Sequence, residues 1–162
     1  MNKVPSPITG PALKAYFLEH AKRAPMTAPG FYLVHTPLHA FKKAVNTHSN
    51  SRNYWNDPRS FSIVNLIIPA GALVYAAHDV LHYKLGDAST RKFRASMARV
   101  HSIAAVKTGF HKAVAHADRD RDFKYRPGKT VSPTSPFSMS HLTCASGIHF
   151  FLNVHDALTY RF

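Results

Sequence analysis

Apolar residues form one nearly continuous run in the middle of the chain. The run from Phe61 to Ile68 is apolar at most of its positions, which predicts a central β-strand covered on both faces. Pro69-Ala70-Gly71 then predicts a turn, and Ala72 to Ala76 predicts a second short strand. A third short strand is predicted from Phe31 to Val34, directly after Pro29-Gly30.

The C-terminal part has the pattern strand, long loop, buried strand and short helix. Alternation from Phe123 to Tyr125 predicts a strand that ends in a turn at Pro127-Gly128. Gly147 opens an apolar run to Leu152 that favours a packed strand. Asn153 is a good helix N-cap, and Asp156 three residues later nearly completes a capping box.

Three other segments are harder to interpret. Thr9 can cap a helix that begins near Pro11 and ends at Pro25. Leu38 to Val45 is interpreted as a helix, because Leu38, Phe41 and Val45 fall on one helical face. The segment from Arg99 to Lys107 fits a strand or a helix on its pattern alone.

Length and composition favour one globular domain. The chain has 162 residues, of which 45% are hydrophobic, so it is long enough and apolar enough for a core. We therefore predict an α+β class: an extended arm over residues 1–10, then a single compact domain over 11–162 in which a small, mainly antiparallel sheet is flanked by a few helices. No secretory h-region or transmembrane run is evident, and the lone Cys144 excludes an internal disulfide.

The excess of positive charge is the strongest global signal. Lys and Arg number 21 against 8 Asp and Glu, a formal charge of +13. Such a balance favours contact with nucleic acid or another polyanion, with phosphate contacts that give affinity but little sequence specificity. The cations expected to make these contacts are Lys42, Lys43, Arg91, Lys92, Arg94, Lys124, Arg126 and Lys129.

Motifs for catalysis or metal binding are weak. The 12 histidines include the spaced pairs His35/His39 and His78/His82, but a zinc site normally needs three or four ligands, so no metal is expected. Catalysis by Cys144 as a nucleophile would need a nearby base to activate the thiol, and the sequence does not identify one. The eight Asp and Glu residues do not suggest an acid–base pair, and no glycine-rich phosphate loop is present.

The chain contains several recognisable motifs: Phe-x-Tyr-x-x-Gly from Phe123, Cys-x-x-Gly-Ile-His-Phe-Phe from Cys144, Ala-Leu-x-Tyr ending at Tyr160, and the blocks Ile63–Pro69, Thr90–Ala95 and Phe41–Val45. Together they carry a resemblance to an uncharacterised domain family of phages and large DNA viruses that often sits beside pentapeptide repeats. It implies an extended Phe41–Val45 and favours a strand for Arg99–Lys107. This chain departs from the pattern at Phe93, where the family usually has cysteine, and it lacks pentapeptide repeats.

A second resemblance concerns enzymes. Gly147-Ile148-His149-Phe150-Phe151, followed by Ala157 and Tyr160, is similar to the NAD-binding segment of ADP-ribosyltransferases. It implies NAD as cofactor, His35, His149 and Tyr160 as site residues, and an activity of ADP-ribosyltransferase or RNA 2′-phosphotransferase type. The glycine expected after His35 and the usual catalytic glutamate are missing.

These observations together favour a non-enzymatic viral protein, of phage type. We expect an accessory or virion-associated protein whose basic surface contacts nucleic acid or another polyanion, with viral structural proteins as further partners and no membrane contact. Its expected location is the virion or the cytoplasm of the infected host cell. The NAD-linked enzyme is the alternative.

Overall fold

The computed structural model describes six parts of the chain: residues 30–46, 58–76, 92–118, 120, 122–140 and 145–160. Within them the chain forms two antiparallel β-sheets, a 3-10 turn at Pro58–Ser60 and a short helix. The predicted arm over residues 1–10 and the predicted helix near Pro11 lie outside the described residues.

The first sheet has four strands in the spatial order β1-β4-β5-β10. They are β1 (Gly30–Leu33), β4 (Leu73–Ala76), β5 (Phe93–Ala95) and β10 (Ile148–Phe150). Tyr75 of β4 and His149 of β10 are both directly opposite Arg94 of β5. Arg94 is therefore in an inner strand of this sheet, with a neighbour on either side.

The second sheet has six strands in the order β8-β7-β2-β3-β6-β9. They are β2 (Leu38–Val45), β3 (Phe61–Ile68), β6 (Ala98–Ala105), β7 (Ala115–His116), β8 (Lys124–Tyr125) and β9 (Thr130–Val131). The long strands β2, β3 and β6 form its centre, and the two-residue strands lie towards its edges.

This sheet curls strongly, because a short turn joins its two edge strands. Tyr125 ends β8 and Thr130 begins β9, so their Cα atoms are at most roughly 18 Å apart. A flat sheet would separate its first and sixth strands by roughly 24 Å. The turn is fixed to β6, since Gly128 N–H donates to the Val100 carbonyl and Val100 N–H donates to that of Lys129, both at 2.8 Å.

The core lies on both faces of the six-stranded sheet. The larger cluster is formed by residues of both sheets, and Val64, Leu66 and Phe150 within it are fully buried. A smaller cluster on the other face contains Ile63, Phe151 and Ala157. Ala157 belongs to helix α1 (Val154–Thr159).

Helix α1 confirms the capping prediction. The Asn153 side chain accepts a hydrogen bond from His155 N–H at 2.8 Å, and Asp156 lies in the first turn. The helix ends at Thr159, which places Tyr160 immediately after it. Among the described residues, no helix has the length and apolarity needed to cross a membrane.

The predicted α+β class is wrong, because the described residues form a mostly β protein with two antiparallel sheets and one short helix. The largest error is Leu38–Val45, which is strand β2 and not a helix. Both faces of β2 are covered: Ala40 and Ala44 are fully buried on one face, and Val45 on the other. Apolar residues on both faces imitated helical spacing, and pairing with β3 along all eight residues decided the conformation.

The other predicted strands are confirmed with small shifts in their ends. Phe61–Ile68 is β3 without change, and the predicted strands near Phe31, Ala72, Phe123 and Gly147 are β1, β4, β8 and β10. The strand alternative for Arg99–Lys107 is β6.

Candidate functional site

A cavity opens where strand β2 changes neighbours along one edge. The N–H and C=O groups of Phe41 exchange hydrogen bonds of 2.8 Å with those of Phe151, and Val45 pairs with His116 of β7. Lys42 and Lys43 lie between these two attachments. The cavity has a volume of about 360 Å³, which is within the range of small-molecule sites.

Distant parts of the chain build the walls of this cavity. Strand β8 contributes Tyr125 and strand β10 contributes His149, while Lys92 precedes β5 and Tyr160 follows α1. Two loop segments, residues 133–135 and 145–147, close the remaining side. Because the cavity is at a strand edge, the neighbouring residues Lys42 and Lys43 both line it although their side chains leave β2 on opposite faces.

Lys42 occupies the core face of β2. It lies between the buried residues Ala40 and Ala44, and its Nζ donates to the His149 carbonyl oxygen at 3.1 Å. The ammonium group is 6.0 Å from the centre of the Tyr125 ring. Burial, reinforced by the positive charge of Lys92, lowers the pKa of Lys42 from 10.5 to about 7, and Asp118 opposes this only in part.

Lys92 and Lys43 both contact Tyr160. The Lys92 Nζ donates to the Tyr160 hydroxyl at 2.8 Å and is 4.7 Å from the centre of its ring. The Lys43 Nζ donates to the Tyr160 carbonyl at 3.3 Å and is 4.1 Å from the centre of the Phe61 ring. Burial lowers the pKa of Lys43 as well. These contacts hold the residue that follows α1 against the cavity.

His149 is neutral at physiological pH. Burial lowers its pKa to about 3, and the charges of Lys42, Lys92 and Arg94 add to the effect. Its Nε2 is 3.1 Å from the Ala145 carbonyl oxygen, which can only accept, so Nε2 carries the hydrogen. Tyr125 is also kept uncharged, because burial raises the pKa of its hydroxyl.

Two carboxylates also line the cavity. Asp118 lies near enough to raise the pKa of Lys42 and Lys43. Asp120 is exposed, and its Oδ1 accepts from Asp122 N–H at 3.2 Å in the β7–β8 connection. Among the described residues, neither Lys42 nor Lys92 forms an ion pair with a carboxylate. Lys42 and Lys92 can therefore donate to a negative group that enters the cavity from outside.

Arg94 fixes the loop that closes the cavity. It is 1% exposed, and its Nη1 donates to the carbonyls of Ser138 at 2.6 Å and Ser146 at 3.1 Å. Its Nη2 donates to the Ser140 carbonyl. The guanidinium carbon is 4.6 Å from the centre of the Tyr75 ring and 5.0 Å from the centre of the Phe137 ring. One buried arginine thus satisfies three carbonyls of a segment that has little regular structure.

Gly147 allows this loop to pass close to Arg94, which leads to a prediction. A Cβ atom at position 147 would lie 2.9 Å from Arg94 Cβ and 3.2 Å from its Cγ. Because these atoms belong to the inner part of a fully buried side chain, they cannot move aside easily. We expect Gly147→Ala to lower the free energy of unfolding by about 1–3 kcal/mol, measured by urea denaturation.

Gly109→Ala is the matched control for position 147. Gly109 has a positive φ of 72°, but a Cβ there would meet no atom within 4 Å, so only backbone strain applies. We expect this control to cost about 1 kcal/mol. A Gly147→Ala protein as stable as the wild type would show that Arg94 can shift without loss.

The structure divides the eight predicted anion-binding residues into groups. Lys42, Lys43 and Lys92 line the cavity, whereas Arg94 is buried and bonded to loop carbonyls. Lys124, Arg126 and Lys129 are exposed around the turn between β8 and β9. Arg91 lies outside the described residues.

Of the three residues in the alternative NAD site, two come together. His149 and Tyr160 line the cavity, while His35 is exposed in the turn after β1 and does not reach the cavity wall. The Tyr160 hydroxyl is engaged by Lys92, which the resemblance to ADP-ribosyltransferases did not include. Among the described residues, no three side chains of histidine, aspartate or glutamate gather as metal ligands.

Sequence reasoning missed the roles of Arg94, Gly147, Asp118 and Tyr125. The sequence predicts phosphate contacts for Lys92 and Arg94, yet these side chains are 6% and 1% exposed. A signal was present, since Arg94 stands between the apolar residues Phe93 and Ala95 in a segment of strand length. A cation inside an apolar strand favours an inward side chain with buried partners.

The fold and cavity define a mostly β domain with a small, lysine-lined site at a sheet edge. The chain belongs to a family of unknown function, DUF5758, which matches residues 26–157. This confirms the resemblance at the level of an uncharacterised domain family. No curated protein and no solved structure matches the chain.

Proposed function

We propose that this domain binds a small anionic group, a phosphate or a carboxylate, in the cavity at the edge of β2. The observation that carries the proposal is the convergence of Lys42, Lys43 and Lys92 on one cavity of about 360 Å³. Lys42 and Lys43 lie in β2 of one sheet and Lys92 directly precedes β5 of the other, so the fold and not local sequence brings them together.

The hydrogen-bonding capacity of the lysines supports anion binding. A protonated lysine has three N–H donors and no acceptor. Lys42 uses one donor for the His149 carbonyl, and Lys92 uses one for the Tyr160 hydroxyl. The other N–H groups of Lys42 and Lys92 lie in a cavity that is partly shielded from water, where charge-assisted hydrogen bonds to an anion are stronger than in bulk water. An anion would also offset the repulsion between Lys42 and Lys92.

A second candidate function follows from the exposed cations. Arg99, Lys124, Arg126 and Lys129, here called the β8–β9 patch, are all exposed, and Arg99 is paired with Thr130 next to the turn. Exposed lysine and arginine on one segment suit the phosphates of nucleic acid or another polyanion. In this proposal the protein is non-enzymatic and contacts the polyanion outside the cavity.

The viral setting is also a proposal. It is supported by the motifs from Phe123 to Tyr160 that resemble a family of phages and large DNA viruses. We place the anion-binding domain in an accessory or virion-associated protein of phage type, acting in the virion or in the cytoplasm of the infected cell. Viral structural proteins are the further partners in that setting. NAD, whose pyrophosphate is anionic, is one ligand to include among those tested.

The test is a calorimetric titration with inorganic phosphate, pyrophosphate and NAD. We expect Lys42→Met and Lys92→Gln to weaken binding of the preferred anion by about 10–100-fold, the equivalent of one lost charge-assisted hydrogen bond. Because Lys42 loses its charge near pH 7, wild-type affinity should fall as the pH rises above that value. The charged or titratable groups that face it are Lys92, Asp118, Tyr125 and His149.

The control variant is Lys124→Gln/Arg126→Gln, which leaves the cavity lysines in place. It should bind the small anions as the wild type does. In a titration with DNA and RNA fragments, the same double variant should reduce the slope of log affinity against log salt by about 0.9 per removed phosphate contact. Equal binding of small anions by wild type, Lys42→Met and Lys92→Gln would overturn the cavity proposal, and an unchanged salt slope would overturn the second candidate.

A further inference from the structure

Lys42 differs chemically from the other two cavity lysines. Lys43 donates to the carbonyl of Tyr160, and Lys92 donates to its hydroxyl. The Lys43 ammonium group is 4.1 Å from the centre of the Phe61 ring, and that of Lys92 is 4.7 Å from the centre of the Tyr160 ring. Within the part of the chain that the structure describes, the Lys42 ammonium group has one hydrogen-bond partner, the His149 carbonyl, and it is 6.0 Å from the centre of the Tyr125 ring. No carboxylate of the described residues pairs with it.

We propose that Lys42 is a nucleophilic amine that forms an imine with a small carbonyl compound carrying a carboxylate or phosphate, while Lys92 and Lys43 hold the anionic group. The inference rests on the proposed anion binding, and it adds the chemical class of the ligand and a covalent step. A 2-oxo acid is the simplest compound with both features.

The covalent step is a condensation that needs no oxidant or reductant. The lone pair of the neutral Lys42 nitrogen attacks the carbonyl carbon, and a C–N bond forms as the C=O π electrons move to oxygen. The nitrogen then loses its two hydrogens, the oxygen leaves as water, and the C–N bond becomes C=N. Addition of water reverses the step, so the ligand is captured reversibly.

The local electrostatics make the neutral amine available. With a pKa of about 7, roughly half of Lys42 is unprotonated at neutral pH, against about one in 3,000 for a lysine at the usual 10.5. A desolvated lysine next to a second cation is a known arrangement for amine nucleophiles. The neighbouring Lys92 therefore has two effects here: it disfavours the charged form of Lys42, and it supplies a positive charge for the ligand's anion.

The carbonyl oxygen at His149 also orients the amine. Because Nζ donates one hydrogen to this oxygen at 3.1 Å, the lone pair of the neutral amine points away from the β10 backbone. Lys42 lines the cavity, and so does the loop at residues 133–135. The cavity volume of about 360 Å³ holds a small 2-oxo acid easily.

The test traps the imine with sodium cyanoborohydride, which reduces it to a stable secondary amine. The full-length protein is incubated with pyruvate and the reductant, followed by intact-mass and peptide-mapping mass spectrometry. We expect one adduct per chain, located at Lys42, with a mass gain equal to that of the 2-oxo acid less one oxygen atom. Its rate should rise with pH to a plateau above about 7.

Lys42→Arg is the key variant, because it keeps a positive side chain without a nucleophilic amine under these conditions. We expect it to lose the adduct, while Lys43→Arg keeps it. Acetone, a ketone without an anionic group, should label Lys42 at least about tenfold more slowly than pyruvate, since it gains no charge-assisted contact. Inorganic phosphate should slow the labelling by pyruvate.

The outcomes separate this inference from the proposed function. If phosphate binds in the titration but pyruvate leaves no adduct on Lys42, the imine is wrong and anion binding stands. Labelling spread evenly over the exposed lysines 107, 112, 124 and 129, unchanged in Lys42→Arg, also overturns the imine. If phosphate, pyrophosphate, NAD and pyruvate are all not bound, both proposals fail. Equal rates for acetone and pyruvate would overturn the role of the anionic group.

Discussion

Replacing Arg94 with alanine is expected to lower the free energy of unfolding by about 3–5 kcal/mol, the largest loss of stability predicted for this protein. The substitution deletes a fully buried side chain whose guanidinium contacts the rings of Tyr75 and Phe137. It also leaves the carbonyls of Ser138, Ser140 and Ser146 without their guanidinium donors. Chemical denaturation monitored by circular dichroism measures the effect.

The same variant should also disturb the cavity, because its loop wall depends on Arg94. Ser146 is bonded to Arg94 through its carbonyl and to the Ser135 carbonyl through its hydroxyl at 2.7 Å, so release of one end loosens the other. We expect amide hydrogen exchange to rise over residues 133–140 and 145–147 before the sheets exchange. Arg99→Ala is the control: this arginine is exposed on β6, and its loss should change stability by less than about 0.5 kcal/mol. Equal losses in the two variants would show that the loop does not depend on Arg94.

Lys42→Met is expected to stabilise the protein, by about 1–4 kcal/mol at pH 6. Methionine has a similar length and fits between Ala40 and Ala44 without placing a charge on the core face of the sheet. The pKa of Lys42 is about 7 in the folded chain and 10.5 in the unfolded chain. Between these values the unfolded state binds one more proton, so wild-type stability rises with pH across this interval. The advantage of the variant should therefore shrink between pH 7 and pH 10.5.

The measurement compares urea midpoints of wild type and variant at pH 6 and pH 9. Other titrating groups change the stability of wild type and variant equally with pH. The difference in stability between the two proteins therefore reports the contribution of Lys42 alone. Lys129→Met, at an exposed position of the β8–β9 turn, should show a difference within about 0.5 kcal/mol at both pH values. A Lys42→Met protein that is less stable than the wild type at pH 6 would mean that the ammonium has a strong partner. The variant also separates stability from binding, because it should be more stable at pH 6 and yet bind the anion about 10–100-fold more weakly.

Much of the β-structure was predictable because it depends on local patterns. Phe61–Ile68 is a strand in both sequence and structure, since a continuous apolar run between turns has few alternatives. Asn153 caps α1 through its own side chain, which is a local interaction. The helix predicted for Leu38–Val45 is wrong because the conformation of this segment depends on pairing with three distant parts of the chain. These are strand β3, Phe151 and His116.

The site was predictable only in its residue types. Lys42, Lys43, Lys92, His149 and Tyr160 were all singled out, but as two unrelated groups, one for polyanions and one for NAD. Their meeting depends on β2 and β10 approaching each other at Phe41 and Phe151, which no local pattern encodes. Arg94 is predicted from the sequence to contact phosphate, and only its place in an inner strand reveals its buried role.

The curled six-stranded sheet has a consequence for how the protein behaves at high concentration. An exposed sheet edge is a template for a strand of another molecule, and long flat edges promote aggregation. Here β8 and β9, the outermost strands among the described residues, pair over only two residues each. The turn between them also brings the two edges towards each other. This geometry leaves little edge for a second chain to extend, so self-association through this sheet is disfavoured even before the mutual repulsion of a chain with a charge of +13 is counted.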